Sequence, residues 1–166
     1  MVNFKFLSIV PVDEIPKTIG DCPTTSLVDL YKLCSYMEEL CVKEKGIGLS
    51  AVQVGVPWKL FVVRYPTCFR YFIDCEYTPL AEEKEKSLEG CLSLKKPDGA
   101  LRFFEVERFK KIKFHGKELK LSPKLELVDV QEEPTDHYRI VYQHEIDHHR
   151  LVLISDIGTE LELWKN

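Results

Sequence analysis

Two histidines four residues apart, with a glutamate directly after the first, stand near the end of the chain in Gln143-His144-Glu145-Ile146-Asp147-His148. On a helix each residue advances about 100°, so residues four apart share a face. His144 and His148 can then aim two imidazoles at one point, with Glu145 in reach of a water held there. Two neutral nitrogens and a carboxylate at this spacing suit a catalytic metal with one open position. The same five-residue pattern also occurs on surface helices that bind nothing. A soft thiolate would complete a His₂Cys set. The chain has six cysteines: Cys22, Cys34, Cys41, Cys68, Cys75 and Cys91. Cys91 follows Gly90 in an extended, half-apolar segment, but spacing alone does not select it.

The elements that must position these groups are legible in outline. Ser26 is an N-cap candidate with Asp29 in the first turn. Leu27, Leu30, Tyr31, Cys34, Met37, Leu40 and Cys41 then recur at three- and four-residue steps, an amphipathic helix ending near Gly46. Cys34 and Cys41 fall on its apolar stripe, which makes them core residues. Gly46-Ile47-Gly48-Leu49-Ser50-Ala51-Val52-Gln53 places two glycines and small residues before an amide, a backbone that something approaches closely. It lacks the Lys-Ser/Thr of a phosphate loop. Gln53 is then a solvated amide or a donor aimed into a site.

Trp58 to Tyr65 and Phe69 to Tyr77 are rich in β-branched and aromatic residues and predict strands. Glu82 to Lys86 is a mixed charge run expected in a solvated loop. Phe103 to Phe114 alternates as a strand, with a hairpin at His115-Gly116-Lys117, and Leu125 to Val130 is a further strand. The Lys/Arg density over 108–124 is expected on a solvated sheet face, since acidic residues are interleaved. Thr135 is the expected cap of the histidine helix, with Asp136 at its positive end. Ile140, Val141 and Ile146 give that helix an apolar side. His137 lies two turns before His144, about 10 Å along the axis, as a structural or rim residue. His149 points about 100° off the metal face.

Bulk properties bound the function. The 166 residues are enough for one domain, 1–166, with a sizeable core. The net charge of -4 argues against a general nucleic-acid binder. No apolar run approaches the ~18 residues of a membrane span. The N-terminus is broken too early by Pro11 and Asp13 for a signal peptide. The cysteines show no framework spacing, consistent with thiols in a reducing compartment, so a cytoplasmic protein is expected.

Three stretches together resemble the peptide deformylases. Gly46 to Gln53 is similar to their G-x-G-x-A-A-x-Q motif, Glu89-Gly90-Cys91-Leu92-Ser93 matches E-G-C-L-S, and Gln143 to His148 matches Q-H-E-x-D-H. The resemblance runs from about residue 25 to the end. It implies an α+β fold, with antiparallel or mixed β-sheets surrounding a central metal-binding helix, plus an N-terminal helix. It implies hydrolysis of the N-formyl group from the initiator methionine of nascent peptides, releasing formate. Cys91, His144 and His148 would be the metal ligands, with Fe²⁺ the natural metal and Zn²⁺ or Ni²⁺ possible occupants. Glu145 would carry the proton, and Gln53 with the Leu92 N–H would form the oxyanion hole. Ile47, Gly48 and Gly90 would bind the peptide, and Ile140 and Val141 would wall the methionine pocket. Arg108 falls near a family arginine.

The chain departs from the family pattern in places. Ser50 replaces an alanine, and His149-Arg150-Leu151 replaces Leu-x-Gly. The 95–134 segment is longer than usual. The chain stops 18 residues after His148 without the family's long C-terminal helix, which puts ribosome contact in doubt. Such short forms resemble bacteriophage deformylases, and an organelle source stays open. Two alternatives remain at this point. One is a zinc endopeptidase taking Glu160 or Glu162 as third ligand, and the other is a non-catalytic metal- or peptide-binding domain.

Overall fold

A computed structural model describes residues 7–162. The expectations for the first six residues and for the apolar tail at Leu163 and Trp164 lie outside that range. Residues 7–26 are largely irregular, as their prolines predict, apart from one 3₁₀ turn at Val12–Glu14.

Helix α1 (Leu27–Lys43) starts where the Ser26 hydroxyl accepts from the Asp29 N–H at 3.3 Å. It buries Leu30, Leu33, Cys34, Met37, Leu40 and Cys41 along one face. Its end differs from the expectation at Gly46. Lys45 takes the left-handed turn with φ 58°, donating to the Val42 carbonyl, and the Gly46 N–H then reaches the Cys41 carbonyl.

Eight strands follow: β1 (Gly48–Ser50), β2 (Leu60–Arg64), β3 (Phe69–Pro79), β4 (Lys84–Lys95), β5 (Leu101–Phe109), β6 (Ile112–Leu121), β7 (Leu125–Glu132) and β8 (Thr159–Leu161). They form a five-stranded sheet in the order β1-β2-β3-β6-β7 and a three-stranded sheet in the order β4-β5-β8. All pairings between these strands are antiparallel. The larger sheet is covered on both faces. Leu60, Val62 and Ile73 pack with α1, whereas Phe61, Val63, Phe72 and Phe114 pack with Tyr142 and Ile146 of helix α2 (Tyr138–His149). Alternate residues of β2 therefore point to opposite cores, and a continuous apolar run is what such a strand requires.

Five local expectations change. The single strand expected over Phe103 to Phe114 is split at Lys110 and Lys111 into β5 and β6, which belong to different sheets. Residues Lys84–Lys86 belong to β4 rather than a loop, because they pair with Glu107 to Phe109. The hairpin expected at His115-Gly116-Lys117 is unbroken strand. Gly116 instead lies against the irregularity of β3 between Ile73 and Glu76, where a Cβ would stand 2.4 Å from the Cys75 sulfur. The 108–124 segment is not uniformly solvated, since Arg108 and Glu118 are buried. The Thr135 hydroxyl bonds Asp136, not a helix N–H, and α2 begins at Tyr138 with His137 preceding it. A left-handed Asp136, at φ 51°, turns the chain before the helix can start. A short α3 (Ile154–Ile157) packs against β4 and β5 through Ile154.

Candidate active site

Helix α2 runs between the two sheets and carries a different task on each side. Tyr142 and Ile146 enter the aromatic core. Gln143 is fixed to the end of β5, its amide donating to the Phe109 carbonyl and accepting from the Phe109 N–H, each at 3.0 Å. His144 and His148 project toward β4. Cys91 meets them there, 1% exposed, with its sulfur 3.5 Å from His148 Nε2. The donor atoms of Cys91, His144 and His148 all lie within 4.8 Å of one another.

That triangle fits a small divalent cation. Bonds of about 2.3 Å to sulfur and about 2.0–2.1 Å to nitrogen at a tetrahedral angle separate sulfur from nitrogen by about 3.5 Å. The protonation pattern points the same way. Burial opposes a charged His144, but its hydrogen bonds to Cys91 and Glu89 outweigh that and hold its pKa well above the ordinary value. Burial, together with His144 itself, drives His148 well below. A cation among these donors would take the place of the proton they share.

A buried ionic chain holds the histidine face in place. His144 Nδ1–H donates to Glu89 at 2.9 Å, which leaves Nε2 free for the triangle. Arg108 grips Glu89 through Nε and Nη2 at 2.7 and 2.8 Å, and reaches Asp147 through Nη1 at 2.5 Å. Burial raises the Glu89 carboxyl, yet the bonds from Arg108 and His144 lower it to about 2, so it stays ionised. β4, β5 and α2 are thus tied together beside the triangle. Glu89, Arg108 and Asp147 had no assigned task from spacing alone. The signal was present in β5, where Phe104, Val106 and Arg108 alternate inward. A guanidinium at an inward strand position needs buried acids.

Glu145 stands beside the triangle. Burial pushes its carboxyl up to about 7, and its Oε2 has no hydrogen-bond partner. Gly48 faces it so closely that a Cβ there would lie 2.3 Å from Oε1. Gln53, buried in the 3₁₀ turn Ala51–Val54, accepts from the Ser50 N–H at 2.9 Å through Oε1. This turns Nε2 toward the site, where it donates to the Ser93 hydroxyl at 3.0 Å and lies 3.5 Å from the Cys91 sulfur. The Ser50 hydroxyl reaches the Leu60 carbonyl at 3.5 Å, so the departure from alanine is accommodated locally. Ladder pairing of β4 with β5 is interrupted between Gly90 and Lys95, which takes Leu92 out of the register.

These groups border a cavity of about 370 Å³. Its walls include Ile47, Gly48, Gln53, Gly90, Leu92, Ile140, Val141, His144 and Glu145, with His137 also in the lining. Cys91 and His148 close the triangle behind it. Both flanking strands are sheet edges: among the described residues β1 pairs only with β2, and β4 only with β5. The Ile47 carbonyl accepts from the Arg64 N–H, so by antiparallel alternation Gly48 turns its own N–H and C=O toward the free edge. His149 is turned away from the triangle, its ring against Phe61 and its Nε2 3.4 Å from the Leu60 carbonyl. Glu160, offered above as an alternative ligand, is paired with Arg102 at 2.6–2.8 Å. Among the described residues neither it nor Glu162 joins the triangle.

The polypeptide deformylase family model matches residues 10–163. A peptide deformylase of Hyphomonas neptunium is 32% identical over 144 residues, covering 81% of this chain and 73% of that protein. The peptide deformylase structure from Thermotoga maritima superposes with a TM-score of 0.74 at 29% identity, covering 91% of this chain and 96% of that one. A probable peptide deformylase from Synechococcus phage S-SSM7 gives 0.77 at 26% identity, covering 92% and 99%. Sheets, helix and the three motif stretches agree with one conclusion: the chain belongs to the polypeptide deformylase family, hydrolases that remove the formyl group from nascent peptides.

Proposed function

We propose that residues 1–166 work as one catalytic domain in which Cys91, His144 and His148 hold a single divalent cation, Fe²⁺ in the cell, with Zn²⁺ or Ni²⁺ able to substitute. The mixed thiolate and imidazole set suits borderline metals of this kind. When bound, the cation supplies Lewis acidity, acidifying water and polarising the formyl carbonyl.

The remaining work belongs to the side chains. The formylated peptide lies extended between the free edges of β1 and β4, an added strand held by the backbone around Ile47, Gly48 and Gly90. Its methionine side chain enters the cavity against Ile140 and Val141. Glu145 takes the proton of the attacking water and delivers it to the departing amine nitrogen. Its raised pKa suits both halves of that transfer. Gln53 Nε2 and the Leu92 N–H donate to the carbonyl oxygen as it gains charge. Formate and a free amino-terminal methionine leave. The reaction belongs where formylated chains emerge, in the cytoplasm of a bacterial or phage-infected cell, or in an organelle with the same initiation chemistry.

The observation that carries this is the convergence of Cys91, His144 and His148 from β4 and α2 beside the Glu145 carboxylate, whose Oε2 has no partner among the described residues. The test is formate release from formyl-Met-Ala-Ser by anaerobically iron-loaded protein. Glu145→Gln is expected to lower kcat by about 10²–10⁴-fold with metal content unchanged. Full activity in that variant, or no formate from the metal-loaded native chain, overturns it. Cys91→Ala is expected to lose the metal. Metal retained there, but lost in Glu160→Ala, would favour the endopeptidase alternative.

A further inference from the structure

We propose that Lys45 is a specificity-determining residue that favours substrates with an acidic side chain within two positions after the formyl-methionine. The proposal rests on the deformylase activity and adds to it a charge preference at the cavity mouth.

Lys45 lies in the lining of the cavity, next to the Gly46–Gly48 segment. Its backbone is left-handed, at φ 58°. That is the turn position after a helix where glycine is ordinarily favoured, because a Cβ there is strained. A strained non-glycine residue beside a ligand cavity points from conformation toward function. The strain is held in place by the Lys45 N–H on Val42 and the Gly46 N–H on Cys41, at 3.0 and 2.8 Å. Gly46 cannot exchange places with it freely, since a Cβ at Gly46 would stand 3.0 Å from a Leu92 methyl and 3.1 Å from the Cys41 sulfur.

The charge balance at the mouth is one-sided. Lys45 is exposed and forms no ion pair among the described residues, whereas the neighbouring Glu44 is committed to Lys95 at 2.6 Å. The carboxylates in the cavity lining, Glu89 and Glu145, are both buried. The other exposed lining residues are Ile47 and Leu88, which are apolar, and His137, which carries no negative charge. An extended peptide leaving the cavity therefore meets a lysine without an acidic counterpart. Alternate side chains of that peptide point to opposite sides, so one of its next two residues faces Lys45.

The expected size follows from an exposed ion pair, a factor of about 2- to 5-fold in kcat/KM, screened by salt. The experiment compares formyl-Met-Ala-Glu-Ser and formyl-Met-Glu-Ala-Ser with their Lys counterparts, each divided by the same enzyme's rate on neutral formyl-Met-Ala-Ser. Metal-loaded native chain, Lys45→Gly and Lys45→Glu are measured at low and high salt. Native protein should favour Glu over Lys at one position. Lys45→Gly, which relieves the backbone strain and so should fold, should lose the preference, and Lys45→Glu should reverse it, with both effects fading in high salt. An unchanged Glu/Lys ratio across the three proteins overturns the proposal. No turnover of the neutral peptide by native protein would instead strike the catalytic reading.

Discussion

At the scale of single residues, Gly48 and Gln53 show how little room the chemistry leaves. The Gly48 α-carbon occupies space where any Cβ would meet the Glu145 carboxylate at 2.3 Å and a Val141 methyl at 3.1 Å. Gly48→Ala should therefore push Glu145 out of place while leaving Cys91, His144 and His148 able to hold metal. A misplacement of about 1 Å can cost about 10²-fold, so kcat should fall by that order with bound metal unchanged. Native-like turnover in Gly48→Ala would show that Glu145 has slack. Gln53 acts through orientation: its Oε1 is anchored by the Ser50 N–H, so Nε2 has one way to point. Gln53→Ala should lower kcat by about 10²–10³-fold on metal-loaded samples. It should also lower the thermal midpoint, since the buried Ser50 N–H loses its acceptor. His144, Glu145 and His148 were readable from helical spacing, because four-residue periodicity is a local property. Selecting Cys91 from six thiols needed the family pattern, since the contact spans β4 and α2 and no local period encodes it.

Elements are held around the site by buried charge rather than by apolar contact alone. Arg108 of β5 joins Glu89 of β4 to Asp147 of α2, and Glu89 in turn orients His144. Removing the arginine leaves two buried acids without a counterion, which costs about 3–5 kcal/mol in comparable cases. Arg108→Met should therefore lower the denaturation midpoint sharply. Arg108→Lys keeps the charge but not the two-pronged grip on Glu89. It should fold, yet bind metal about 10–100-fold more weakly, because Glu89, the partner that orients His144, is held less firmly. Competition with a chelator measures this, and native metal affinity in Arg108→Lys would remove the arginine from the support of the site. The α1 stripe and the strands β2, β3 and β7 were legible from periodicity. The unbroken β6 and the strand start at Lys84 were not. Both are imposed by partners: Gly116 by the β3 irregularity and Lys84 by pairing with Phe109.

Across the whole molecule, the described residues hold two such charge centres at different places on the core, and of these the Arg108 centre adjoins the Cys91, His144 and His148 triangle. The second is Arg70 of β3, which bonds Glu118 of β6 through Nε and Nη2, each at 2.9 Å, and Glu132 of β7 through Nη1 at 3.0 Å. It fastens one region of the five-stranded sheet beneath Tyr142 of α2, whose hydroxyl also donates to Glu132. Of these charges only Glu118 falls in the 108–124 stretch, where interleaved acids and bases predicted a solvated face, and its burial is a tertiary fact. A dependence on pH follows. Burial raises the Glu118 carboxyl, the Arg70 hydrogen bonds more than offset this, and the net shift is downward from 4.5. A carboxyl whose folded pKa lies below its unfolded one binds more protons when unfolded. Its contribution is fully present above the unfolded value and is lost as pH falls through the folded one. Glu118→Gln should therefore be less stable than the native chain at neutral pH. That gap should narrow as pH drops below 4.5. Urea midpoints of both proteins, stripped of metal so that ligand protonation is common to both, would measure it. A gap that stays constant from neutral to acidic pH would mean that Glu118 acts through packing and not through its charge.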